Sequence, residues 1–231
     1  MEAMTAQERV DYDGDGLRRE DLAATPLEQI ERWVEQARSR QRERGDVPEP
    51  TAVSVATVDA EGHPDVRTVL ARLIEPRGIA FFTGLDSAKG DHLRENPRVA
   101  ASFTWPAMFR SIRLRGLAVP VDRDAVGAYF RSRPWASRIS AWASPQSQPV
   151  ESREALEQAY DAHALRFPDR GRPDDVPVPE RWGGYWVEPF HVEFWAGRSN
   201  RLHDRWVFDH EGGRCGDLSA SSGWTVRRLG P

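Results

Sequence analysis

Between Thr51 and Val119, apolar and β-branched residues recur in short runs: TAVSVATV, VRTVLARLI, IAFFT, VAASFTW and FRSIRLRGLAV. Only the turn-forming AEGHP and EPRG separate the first three. Such links are too short for the crossover that a parallel pair requires, so these strands are read as hairpin-connected and antiparallel. The pattern returns after Gly183 in GYWVEPFHVEFW, RWVFDH and WTVRRL, the last two joined by a long Gly/Ser loop. Regular β–α alternation and a strand–GxGxxG–helix unit are both missing, which argues against a doubly wound nucleotide fold. The expected class is α+β, mainly β: an antiparallel sheet closing on itself, with helices packed outside.

The helices announce themselves by their ends. Thr25-Pro26-Leu27-Glu28 has the form of a capping box with Pro at the first helical position, and Leu27, Ile30, Trp33, Val34 and Ala37 mark one face as far as the stop at Gly45. Shorter helices are expected over 87–95, 122–132, from Pro134 onward and over 151–167, followed by a Pro-rich surface connector. Residues 1–22 are polar and aperiodic and are expected to form a mobile arm, with 23–231 as a single domain.

Composition narrows the function. The 36 acidic residues outnumber the 32 Lys and Arg, so no basic excess exists to engage nucleic acid or an anionic membrane. No run approaches the roughly 18 apolar residues of a membrane span, and the opening lacks the apolar region of a secretory signal. A soluble protein of the reducing cytoplasm is expected. Cys215 is the only cysteine, so neither an intrachain disulfide nor a multi-cysteine metal site can form.

Asp11-Tyr12-Asp13-Gly14-Asp15-Gly16 imitates the start of a calcium loop, but its twelfth position is Leu22, where a bidentate Glu is needed. It reads as a solvated acidic turn, and no metal site is expected. None of the six histidines forms HExxH, and no GxSxG elbow is present, so a hydrolase is disfavoured. Cations stand at both ends of Arg67-Thr68-Val69-Leu70-Ala71-Arg72, and Thr83, Ser87 and Lys89 gather at the next strand-to-helix junction. Together they suit a phosphate-sized anion, although the spacing alone also fits ordinary surface decoration. Gln146 and Ser147 lie in AWASPQSQ just past a helix end, suited either to the rim of a polar heterocycle or to capping. Trp195 is followed by Arg201, His203 and Arg205, a run of like charges that makes sense around an anionic or electron-rich ligand.

Taken in order, RTVLAR, FFTGLDSAKG, ENPRVAASFTW, YFRSRP, AWASPQSQ, RWGGY, EFWAGRSNRLHDR and the terminal RLGP make nearly the whole chain resemble the pyridoxine/pyridoxamine 5′-phosphate oxidase family of FMN flavoproteins. The resemblance implies an FMN-binding split barrel acting as a homodimer with shared flavin sites. It implies that Arg67, Val69, Leu70, Phe82, Thr83, Ser87 and Lys89 hold FMN, Arg67 and Lys89 at its phosphate, and that Ser111, Gln146, Ser147, Trp195 and Arg205 complete the site, some from the partner chain. Arg72, Tyr129, Arg133 and Ser137 would bind the substrate phosphate. Arg201 and His203 would act at the pyridine ring, and Arg9 with Tyr12 would close over it. The implied reaction is oxidation of a B6 5′-phosphate by O2. A phenazine-precursor oxidase and a non-catalytic flavin or pyridoxal-phosphate binder are the alternatives. Arg72, Ala88, Ser111 and Ala196 depart from the residues common in the family at those positions, where Lys, a second cation, Gln, and Gln, His or Gly are usual.

Overall fold

The computed structural model describes Tyr12 and residues 14–231. Arg9, Asp11 and Asp13 lie outside the described residues. The helix at the capping box forms as α1 (Pro26–Arg44): Thr25 accepts from the Glu28 amide, and Gly45 ends the helix with φ 70°. The strands are β1 (Ala52–Val58), β2 (Pro64–Leu70), β3 (Leu73–Glu75), β4 (Gly78–Gly84), β5 (Arg98–Trp105), β6 (Arg110–Pro120), β7 (Trp182–Ala196), β8 (Asp204–His210) and β9 (Trp224–Arg228). Between them stand α2 (Ala88–Glu95), α3 (Arg123–Ser132), α4 (Trp135–Ala143) and α5 (Arg153–Arg166). No helix among the described residues is long and apolar enough to cross a membrane.

The expected antiparallel α+β architecture is present. The order is β2-β1-β5-β6-β7-β4-β3, with β8 added on β7 and β9 on β8. One expectation needs correcting: VRTVLARLI is not a single strand. The Ala71 amide still donates to Thr51 beside β1 (2.9 Å), whereas the Arg72 amide donates to Ala80 in β4 (2.8 Å). The backbone changes partner between adjacent residues, so the two ends of the curled sheet are joined by one kinked segment. This is how the sheet closes. A second correction concerns the arm, because Leu17 and Leu22, expected to be mobile, are buried in the core. Burying two leucines contributes up to about 1.5–3 kcal/mol each, enough to dock a segment without internal periodicity.

Two apolar cores lie on opposite faces of the sheet. The larger holds Ile30, Trp33 and Val34 of α1 against Val53, Phe81, Phe103 and Phe194, and the smaller sets Phe130 and Ile139 against Ala80, Trp182 and Trp186. β7 serves both. Along it, Arg115 of β6 opposes His191 but Gly116 opposes Pro189, so Phe190 is an extra, bulged residue. A Cβ on Gly116 would sit 2.0 Å from the Glu188 carbonyl oxygen, which restricts that position to glycine.

Candidate active site

β4 and β7 end in a cleft of about 420 Å³ roofed by α3 and α4. Its floor is aromatic: Phe82 stacks on Tyr129 (4.1 Å between centroids) and lies nearly parallel to Trp182 (5.5 Å, 10°). The Arg133 guanidinium covers the other part of Trp182 at 4.9 Å. Val69, Leu70, Arg72, Thr83, Ser137 and Gln146 complete the lining taken from the candidates. Residues far apart in sequence and chosen for two roles, flavin and substrate phosphate, therefore share one wall-to-wall space.

Polar contacts knit the flavin-side candidates together. Thr83 donates to the Gln146 side-chain carbonyl (2.8 Å), which also accepts the Gly84 amide (2.8 Å). Lys89, buried at the start of α2, donates to Thr83 Oγ1 (3.0 Å) and Ser87 Oγ (3.1 Å), and Ser87 donates to the Gly84 carbonyl (2.6 Å). Burial, followed by the nearby Arg67 charge, pushes the Lys89 ammonium down to about 8, against weak support from Asp65. Arg67 donates to Thr57 Oγ1 (2.7 Å) and pairs with the Asp65 carboxylate. Ser147 is exposed, with φ 67°, and lines neither this cleft nor the next.

Arg133 is the most informative cation. Its Nη1 is buried with no hydrogen-bond partner among the described residues. Burial pushes its guanidinium pKa below the ordinary value, Tyr129 opposes this, and the neighbouring Arg72 and Arg138 charges add to it. A desolvated guanidinium without a carboxylate is costly unless an anion arrives to meet it.

The remaining candidates gather elsewhere. Tyr12, Ser111, Trp195 and Arg205 line a second cleft of about 620 Å³ that shares no residue with the first. His203 packs its ring on Trp195 (4.8 Å) and Tyr12 (5.5 Å). Its Nδ1 accepts the Arg198 amide (3.1 Å), which in the neutral ring leaves the proton on Nε2, available to donate. Arg201 is exposed on a loop where it and Asn200 both adopt left-handed backbone (φ 61° and 57°). Trp182 and Trp195 are thirteen residues apart on β7, so the clefts lie up to roughly 40 Å apart at opposite ends of one strand.

The like-charge cluster read from sequence is corrected here in part: Arg205 is paired with Glu193, 2.9 Å away across the β7–β8 ladder. Glu193 also pairs with Arg113. Burial disfavours its charge, but hydrogen bonds from Arg205 and Arg113 outweigh this and hold the carboxyl below the usual range. Sequence reasoning passed over Glu193, although a lone acid inside the apolar run VEFW is its signature. It also missed Arg181, which caps α4 through the carbonyls of Ala141 (3.2 Å), Trp142 (2.6 Å) and Ser144 (2.9 Å), so fixing the loop that presents Gln146.

Residues 39–165 match the family model described as pyridoxamine 5′-phosphate oxidase, and 182–231 match the pyridoxine 5′-phosphate oxidase C-terminal dimerisation region. The chain belongs to the pyridoxamine 5′-phosphate oxidase family. A relative from Bordetella avium, a pyridoxine/pyridoxamine 5′-phosphate oxidase, is 43% identical over 223 residues, 96% of this chain and 97% of its own. The crystal structure of PhzG from Burkholderia lata in complex with tetrahydrophenazine-1-carboxylic acid superposes with a TM-score of 0.81 at 27% identity, covering 95% of this chain and 100% of that one. A pyridoxamine 5′-phosphate oxidase-related, FMN binding protein from Nostoc punctiforme shares the fold, with a TM-score of 0.64 at 19% identity over 86% of this chain and 95% of that one.

Proposed function

We propose that the chain oxidises pyridoxamine 5′-phosphate or pyridoxine 5′-phosphate to pyridoxal 5′-phosphate, using FMN and O2 and releasing hydrogen peroxide, with ammonia from the amine. The observation that carries this is Arg133, which lines the cleft beside Arg72, Tyr129 and Ser137 with its Nη1 buried and without a hydrogen-bond partner among the described residues. That set suits a phosphate dianion. The flavin-side residues fit their group as well: Lys89 is desolvated with only hydroxyls as hydrogen-bond partners, beside Arg67, which is the chemistry of a terminal-phosphate clamp.

In this reading Arg67, Ser87 and Lys89 hold the FMN phosphate, while Val69, Leu70, Phe82, Thr83 and Gln146 line the rest of its place. FMN supplies the two-electron acceptor that O2 regenerates. The protein's own work is orientation. Arg72, Tyr129, Arg133 and Ser137 anchor the substrate by its phosphate, and Arg201 with the Nε2–H of His203 addresses the pyridine ring beneath Tyr12 and Arg9. Because Ser111, Trp195 and Arg205 sit at the far end of β7, a homodimer that brings one protomer's second cleft to its partner's first completes each site; Ser147 is assigned to the flavin on the resemblance alone. A cytoplasmic setting accords with the free Cys215.

The PhzG likeness supports a second reading, oxidation of a phenazine precursor on the same scaffold. The purified protein, reconstituted with FMN, is assayed for aldehyde and peroxide with each B6 phosphate and with a dihydrophenazine carboxylate. Turnover of a phosphate ester is the expected result. A flavin-loaded protein that oxidises neither ester overturns it, in favour of the phenazine reading if that compound reacts and of a non-catalytic binder if nothing does.

A further inference from the structure

Asp204 directly follows His203, and it is almost wholly enclosed, at 2% exposure. It receives partners from three separate segments. The Leu17 amide donates to Oδ2 (3.0 Å), Arg228 of β9 donates to Oδ1 (2.6 Å), and Arg198 reaches Oδ2 (3.4 Å). Two residues further along the same face of β8, Trp206 donates its indole N–H to the Leu17 carbonyl (2.8 Å). Leu17 is therefore gripped at both its backbone groups by neighbouring side chains of one strand.

The contact leaves no slack. Gly16 has φ 74°, and a Cβ there would lie 2.5 Å from Asp204 Oδ2 and 2.9 Å from the Arg198 side chain. Arg198 links the two sides, because its amide donates to His203 Nδ1 while its guanidinium reaches Asp204. The loop between them holds Asn200 and Arg201 in left-handed backbone, a conformation that costs of order 1–3 kcal/mol per residue and persists only where the flanks are fixed.

From this geometry we infer that Asp204 is a positioning residue that sets two parts of the substrate side as one unit: residues 14–17, and the 197–203 loop that presents Arg201 and His203. This rests on the assignment of Tyr12, Arg201 and His203 made above. It implies that displacing either segment disorders the other, the Asp204–Arg198 link adding polar anchoring to the packing of Tyr12 on His203 and the close approach of Gly14 to Gly197.

The test uses full-length protein with FMN, comparing Asp204→Asn, which keeps the size and removes the charge, with Gly16→Ala, which lifts the arm off the carboxylate. Backbone hydrogen exchange and steady-state kinetics are read on both. In each variant the amides of 14–22 and of 197–203 are expected to exchange about tenfold faster. kcat should fall about tenfold, with a smaller change in KM and flavin affinity within twofold, since Arg72 and Arg133 are untouched. The decisive result is that Asp204→Asn loosens both segments, because a Cβ on Gly16 also presses directly on Arg198; should Asp204→Asn fail to fold, Arg198→Met, which removes the link and leaves Gly16 unstrained, decides. Faster exchange confined to the substituted segment, or a lower Tm with unchanged kcat and loop exchange, overturns the inference. A wild type that oxidises neither phosphate ester defeats the functional reading, while the exchange data still decide the coupling.

Discussion

Two regions of the molecule treat their cations in opposite ways. Around Glu193 and Asp204, Arg113, Arg205, Arg198 and Arg228 all find a carboxylate within the chain. Near Phe82 and Trp182, Arg133 and Lys89 have no carboxylate hydrogen-bonded to them among the described residues, only the neighbouring Arg72 and Arg138 charges in one case and Arg67 with Asp65 in the other, and both are held below their ordinary range by burial first of all. A cation whose charge the fold answers is architecture. One whose charge the fold leaves unanswered is suited to an anion, and on this contrast Arg133 and Lys89 stand apart, whereas Arg67, proposed at the same phosphate as Lys89, already pairs with Asp65.

The contrast breaks most visibly at Glu193. Replacing it by Ala leaves Arg113 and Arg205 facing each other and is expected to cost about 3 kcal/mol in denaturant unfolding, less than a fully buried pair would because Arg113 is half exposed. The sign with pH follows from its lowered folded-state pKa: the stabilisation is present above the unfolded carboxyl value and is lost as pH falls through the lower folded one. The gap between wild type and Glu193→Gln should therefore close in acid; a gap that stays constant there would show that the charge is not what Glu193 contributes.

Arg133→Met should do the reverse. Stability should hold or rise, because a desolvated charge is removed, while KM for the phosphate ester increases about 10- to 100-fold and the preference over the unphosphorylated amine disappears. A large loss of Tm with the preference intact would place Arg133 among the structural arginines.

The smallest effect belongs to Lys89. Its ammonium is charged at pH 7 and loses its proton as pH rises through about 8, leaving Arg67 alone for the phosphate. FMN should bind about tenfold more weakly at pH 9.5 than at pH 7, by fluorescence titration. In Lys89→Met the affinity should be lower and flat over that range. A persisting pH dependence there would assign the titration to another group.

Much of the fold was legible because its signals are local. Thr25, Asp122 and Ser152 accept from amides three residues on, and each announces a helix in the sequence. The break in VRTVLARLI was not legible, since nothing in Ala71-Arg72 tells that the next hydrogen bond goes to a different strand. The candidate site was legible as a set of residue types, and the first cleft collects many of them. What the sequence hid was pairing across the ladder: Glu193 meets Arg205 only through the β7–β8 register, and Asp204 meets Leu17 across 187 positions. Like charges close in sequence look repulsive until the acids that separate them in space are known.

The bulge at Phe190 gives β7 an arithmetic of odd and even. Before it, the odd residues Tyr185 and Val187 enter the larger core; after it, the even residues Val192, Phe194 and Ala196 do. A strand alternates strictly, so one surplus residue is what lets both halves face the same interior. Deleting Phe190 would leave the net charge unchanged and every candidate site residue present. Yet it would send Phe194 outward, and Trp195 with Glu193 inward, or else reverse the half that carries Trp182. In this chain a single-codon deletion far from either cleft is a more destructive genetic event than most substitutions within them.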